Sequence, residues 1–181
     1  MGRESAAETA EGIDERADAA AAKPAHGIAE RLRRMVDGGA WHGPALMPLL
    51  RGVTAQQAAA RPIAGAHSIR EIARHAAVWQ EVVARRAAGE DVRPTAAEDW
   101  PPVGDGEAAW SELRERLARE AARLAVAIDG LSPRQLAAPV VRRRYTVGHL
   151  LNGLIEHHAY HAGQIALLKR ALGLPAIVEE S

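Results

Sequence analysis

The chain of 181 residues contains no cysteine and no phenylalanine. Without a thiol it forms no disulfide, gives no thiolate to a metal and supplies no cysteine nucleophile, so any metal site must be built from imidazoles and carboxylates. Aromatic residues are only 3% of the chain, and no stretch of useful length alternates apolar and polar residues as a half-buried strand would. Charge of one sign is also missing: 23 Lys and Arg balance 23 Asp and Glu. That balance argues against a general nucleic-acid or membrane-surface binder, whose attraction comes from a basic excess. The short runs Arg31-Leu32-Arg33-Arg34 and Arg142-Arg143-Arg144 are the basic concentrations, and such runs are normally solvated faces; the second is also weighed as a local site for an anion. No apolar run approaches the roughly 18–20 residues of a membrane helix, and the start of the chain lacks the apolar core of a signal peptide. A cytoplasmic protein is expected, with no nucleic-acid or membrane partner.

What is abundant is Ala and Leu, within a hydrophobic fraction of 48%, which favours packed helices. The length suits one domain with a proper core. Residues 1–25 are rich in Ala, Glu and Asp with almost nothing large to bury, and are expected to form a flexible extension outside a single domain spanning 26–181. A first helix is predicted from His26 to Asp37, with Ile28, Leu32, Met35 and Val36 inward and Gly38-Gly39 as its stop. Trp41-His42-Gly43-Pro44 precedes a short apolar helix through Leu46, Leu49 and Leu50, and Thr54-Ala55-Gln56-Gln57 has the form of a capping box. Ser68-Ile69-Arg70-Glu71 is another, opening a helix to about Gly89. The Pro-containing stretch from Asp91 to Gly106 reads as a long ordered loop or partial lid. Trp110, Leu113, Leu117, Ala121, Leu124 and Ile128 then mark a helix from about Glu107 to Asp129, and Ser132-Pro133-Arg134-Gln135 caps a short turn before the last helix. Four long amphipathic helices with irregular connections predict an all-α four-helix bundle with short extra helices in the connections.

The last helix carries the chemistry. Residues 145–173 form one amphipathic stretch, capped by Thr146, with Lys169 and Arg170 at the negative end of its dipole and Gly173 and Pro175 at its end. At about 100° per residue, Leu150, Leu154, His157, His161, Gln164, Ile165 and Leu168 share one face. Two imidazoles thus occupy a stripe that a core-facing helix normally fills with Leu, Ile or Ala. Histidines four residues apart point the same way and can share one metal ion. The plainer alternative is a pair of satisfied core histidines. Two ligands bind a metal weakly, so a third is needed, and His75 lies on the core side of the Ser68 helix with Ile72 and Val82. Three neutral imidazoles from facing helices would hold a divalent ion and leave a position open for water or substrate, the arrangement of catalytic sites.

The order Trp41-His42-Gly43-Pro44, then Pro62 to Trp79, then His157 to Leu168 resembles the DinB/YfiT-like superfamily of bacterial metal-binding four-helix bundles. The resemblance spans roughly residues 26–173, and its most specific element is HxxYHxGQI, here His157, Tyr160, His161, Gly163, Gln164 and Ile165. In that family one histidine of the second helix and two of the last bind the metal, which carries over to His75, His157 and His161. Members include thiol-dependent S-transferases and a thiol-dependent isomerase, others are assigned only as hydrolases, and dimers are common.

The expectation that follows is a metal-dependent enzyme with one divalent transition ion, zinc or nickel first and iron or manganese as alternatives. The ion would lower the pKa of a bound water or of a small-molecule thiol for hydrolysis or S-transfer. A small-molecule substrate and a homodimer are the expected partners. A non-catalytic metal-binding or stress-response protein, dimeric and helical, is the alternative. Gln164, Tyr160 and His42 are candidates to support the site: Gln164 as an orienting or core amide, Tyr160 as a hydroxyl or a packing ring, His42 near the open end. His158, one residue off the pair, is expected on the flank as a contact residue and not as a ligand. Its position also removes the HExxH protease reading, which needs glutamate there. Trp41, Trp79, Trp100 and Trp110 are expected as core and loop anchors, Trp79 also as a wall of the pocket, and His26, His67 and His149 as surface or capping residues.

Overall fold

A computed structural model describes residues 23–175. Eight helices occur among them: α1 (Lys23–Asp37), α2 (Leu46–Leu50), α3 (Ala55–Ala59), α4 (Ile69–Ala87), α5 (Ala96–Asp99), α6 (Gly106–Asp129), α7 (Pro133–Ala137) and α8 (Val147–Ala171). The four long ones, α1, α4, α6 and α8, make a bundle in which α1 and α4 each pack against both α6 and α8. The all-α four-helix bundle is thus the observed architecture. Helix α1 begins three residues before the expected His26, and Ala25 is fully buried. The flexible extension expected for the N-terminus falls, for residues 1–22, outside the described residues.

Local chemistry sets the helix ends. Thr54, Ser68, Thr95 and Ser132 each accept a hydrogen bond from the backbone N–H three residues on, and the side chain there accepts one from the cap's own backbone N–H. Each reciprocal pair satisfies two N–H groups that a helix start leaves open. Thr146 caps α8 through the His149 N–H, and Gly173, at φ 71°, turns the chain out of the helix in a conformation that favours glycine. Gly148 lets α7 lie close on α8: a Cβ there would stand 3.2 Å from the Leu136 carbonyl oxygen.

The buried side chains fall into two clusters. One joins Ile72, Ala76, Trp110, Leu117, Ala162, Ile165 and their neighbours; the other joins Leu32, Val83, Leu124, Ile128, Leu151, Leu154 and theirs. Along α8 the second cluster ends at Leu154 and the first resumes at Ala162, and along α4 they divide between Ala77 and Val83. On α8 the histidines His157, His158 and His161 occupy the interval, and on α4 His75 stands among the first cluster's Ala73 and Ala76. Imidazoles are polar enough to need partners when buried, so the core is interrupted here by a layer that the apolar effect alone does not explain.

The Asp91–Gly106 stretch, expected as a long ordered loop or partial lid, includes the short helix α5. Its start is fastened by Arg143, which pairs with Asp91 at 2.9 Å and donates to the Val92 carbonyl, and by Arg86, which donates to the same carbonyl. Arg142 joins Asp91 at 3.6 Å. Arg142 and Arg143 of the Arg142-Arg143-Arg144 run therefore pair with protein carboxylate and carbonyl groups. Lys169 departs from expectation as well: it is 1% exposed, and its Nζ donates to the Leu49 carbonyl at 2.8 Å. Burial lowers its pKa. No described helix is long and apolar enough to cross a membrane.

Candidate metal centre

Helices α4 and α8 face each other, and they bring together His75 from the first and His157 and His161 from the second. His75 Nε2 lies 3.0 Å from His157 Nε2, which lies 3.1 Å from His161 Nε2. The ligand atoms of the three all fall within 4.8 Å of one another, and no other group of three or more His, Asp or Glu side chains among the described residues converges in this way.

The outer nitrogens decide what the inner ones can do. His75 Nδ1 is 3.0 Å from the Asp99 carbonyl oxygen and 3.1 Å from Asp99 Oδ1. Both are acceptors, so Nδ1 carries the proton and Nε2 presents its lone pair. His161 Nδ1 meets Gln164 Oε1 at 2.7 Å, which sets the same tautomer. Two lone pairs thus aim at His157 Nε2. That nitrogen has one proton at most, so one proton serves both short contacts, or none does. A single cation would satisfy all three nitrogens at once. Zinc–imidazole bonds of about 2.0–2.1 Å in tetrahedral geometry separate ligand nitrogens by about 3.3 Å, so the observed spacing needs only small adjustment to accept an ion. The donor set therefore fits a divalent transition metal.

Burial keeps His157 and His161 in the form a metal requires. Burial, reinforced by His161, His158 and His75, pushes the His157 pKa down to about 3. Burial also lowers that of His161, partly opposed by its hydrogen bond to Gln164. Neutral imidazole is the ligand form. The loop adds a wall: Trp100 stacks on the His75 ring at 4.0 Å with planes 7° apart, and His67 stacks on the far face of the layer at 3.6 Å from Trp100. Trp79 donates its indole N–H to Asp99 Oδ1 at 2.7 Å, fixing the carboxylate that orients His75. Such outer hydrogen bonds hold a ligand ring in place and raise its basicity.

The remaining candidates separate clearly. Gln164 is at the site, as a partner of His161. Tyr160 is 65% exposed, with its ring edge-on to His161, so neither an inward hydroxyl nor a packed core ring describes it. His42 meets Met35 Sδ at 3.0 Å and contacts none of the three imidazoles. His158 corrects the expectation most: it is fully buried, its Nε2 3.1 Å from the Gln80 amide nitrogen, because α8 is packed by α1, α2, α4 and α7 and buries a broader arc than a single stripe. Burial lowers its pKa to about 3. Trp41 is fully exposed and anchors nothing, whereas Trp110 is buried and bonds the Val53 carbonyl. His67, expected only as a surface residue, belongs to the ring stack, and His149, although exposed, lines a cavity beside His157. Asp99 went unrecognised in the sequence. The Thr95-x-x-Glu98 capping box, alike in form to those at Ser68 and Ser132, was the available signal for a helical turn ending there.

Three convergent imidazoles on facing helices are the arrangement from which metal sites in helical bundles are built. The family is explicit: the model of the DinB superfamily matches residues 40–165, and the chain belongs to that superfamily. Comparison with curated proteins and with solved structures gives no match.

Proposed function

We propose that this DinB-superfamily protein is a metal-dependent enzyme that activates water or a small-molecule thiol for hydrolysis or S-transfer. The observation that carries the reading is the convergence of His75, His157 and His161, with the tautomers of His75 and His161 set from behind by Asp99 and Gln164. A bound divalent transition ion, zinc or nickel foremost, supplies Lewis acidity that favours the deprotonated form of water or thiol. The chain's own contribution is to fix three neutral nitrogens, to hold them through Asp99, Trp79 and Gln164, and to shield the His75 face with Trp100. The absence of a fourth converging donor among the described residues favours an open coordination position over a closed structural site. Since the chain has no cysteine, any thiol arrives as a cosubstrate.

The test is turnover by the full chain loaded with zinc or nickel, using glutathione with 1-chloro-2,4-dinitrobenzene and, separately, a p-nitrophenyl ester. Metal-dependent turnover of either probe, lost in the His75→Ala/His157→Ala/His161→Ala variant, is expected. Equal rates with and without metal would count against the enzyme and favour the binding protein. The same reading includes a cytoplasmic homodimer. Tyr160 and Leu167, both exposed on α8, offer apolar surface for it, and sedimentation equilibrium should show weaker association in Tyr160→Ser.

A further inference from the structure

Beside the imidazole cluster lies a cavity of about 250 Å³, lined by Trp79, Val83, Arg86, Tyr145, His149, Leu150, Gly153, Leu154 and His157. Most of its wall is apolar, and one cation is set into it. Arg86 is only 8% exposed, yet among the described residues no carboxylate pairs with it. Its Nε donates to the Val92 carbonyl at 3.0 Å, its Nη1 reaches the Tyr145 hydroxyl at 3.5 Å, and its guanidinium carbon stands 5.3 Å from the Trp79 ring. A buried cation usually has an ionic partner, because neutral dipoles replace its hydration incompletely. The Trp79 ring links this cation to the candidate metal centre, standing 5.5 Å from the His157 ring.

We propose that this cavity is the substrate subsite and that Arg86 binds the carboxylate of a small organic acid. The apolar body of that acid packs on Trp79, Val83, Leu150 and Leu154, and its other end faces His157. One guanidinium matches the single charge and planar fork of a carboxylate; a phosphate, with more charge, would call for a second Arg or Lys, and Arg86 is the one such residue lining this cavity. The inference rests on the metal-enzyme reading for what happens at the His157 end, but recognition of the acid by Arg86 does not require the ion. Gly153 supplies a control built into the fold: a Cβ placed there meets nothing within 4 Å, and the residue lines the cavity, so a larger side chain fills the space without displacing a neighbour at its root.

The experiment is calorimetric titration of the full chain, stripped of metal with a chelator and then zinc-loaded, with 3-phenylpropanoate and with 3-phenylpropanamide. In the metal-free native protein the acid should bind at least about tenfold more tightly than the amide, the scale of a charge-assisted hydrogen-bonded pair. Arg86→Met should erase that preference, and Gly153→Leu, which keeps Arg86 and replaces a helical glycine with a good helix former, should abolish binding of both while leaving zinc content unchanged. Equal binding of acid and amide, no binding to the metal-free native protein, or an acid preference that survives in Arg86→Met or Gly153→Leu would overturn the proposal. Failure of the native protein to take up zinc would instead count against the metal reading and leave the metal-free titration to decide this one.

Discussion

Asp99 shows how a residue with no ligand role can decide a site. Its carbonyl and carboxylate both accept from His75 Nδ1 and its Oδ1 also takes the Trp79 indole N–H, so one residue sets a tautomer and ties the loop to α4. Removing such a support typically costs 10–100-fold in metal affinity. Asp99→Ala should show a loss of about that size against a chromophoric chelator, with the melting transition still cooperative. His158→Ala should behave in the opposite way. It leaves a cavity and strips Gln80 of its partner, a loss of roughly 2–4 kcal/mol by urea denaturation, while metal content stays that of the native protein. His157 and His161 were legible because a four-residue repeat on an apolar stripe is a local signal. Asp99 was not, since its partner His75 lies 24 residues away and only folding brings them together.

Among the elements, the helix starts were the most readable part of the chain, because a capping box is complete within four residues. The box of α4 also gives that helix a dependence on pH. Burial acts to raise the Glu71 pKa, but hydrogen bonds from the Ser68 backbone and hydroxyl, with the Arg61 charge, outweigh it and bring the value below 4.5. A carboxylate depressed in the folded state contributes stability that is complete above its unfolded pKa and lost as pH falls through the folded one. Native protein should therefore lose urea resistance below about pH 4.5, and Glu71→Gln, which keeps a capping partner, should flatten that part of the profile. Ser68→Ala should cost about 1 kcal/mol at neutral pH. Helix α8 was legible in its extent but not in its burial. A wheel drawn for one partner gives one stripe, whereas contact with four helices buries a second row, Leu151, His158, Ala162 and Lys169, that the first row does not announce.

At the scale of the molecule, the three histidines join α4 to α8, so an ion held there would bind the folded state and not the unfolded chain. Free metal at about a thousand times its dissociation constant adds roughly 4 kcal/mol, which for a domain of this size is a rise in melting temperature on the order of 10 °C. Chelation should reverse it. The all-α bundle was legible from composition and periodicity, which act over whole helices; the cavity carrying Arg86 was not, because it exists only where α4, the Tyr145 turn and α8 meet. The measurement that tests the account most directly is elemental analysis of the purified, untagged native protein beside His157→Ala. About one transition-metal ion per chain in the native protein, absent from the variant, is the predicted result. A native protein that holds no metal after incubation with zinc and with nickel, or a variant that retains the full complement, would contradict it.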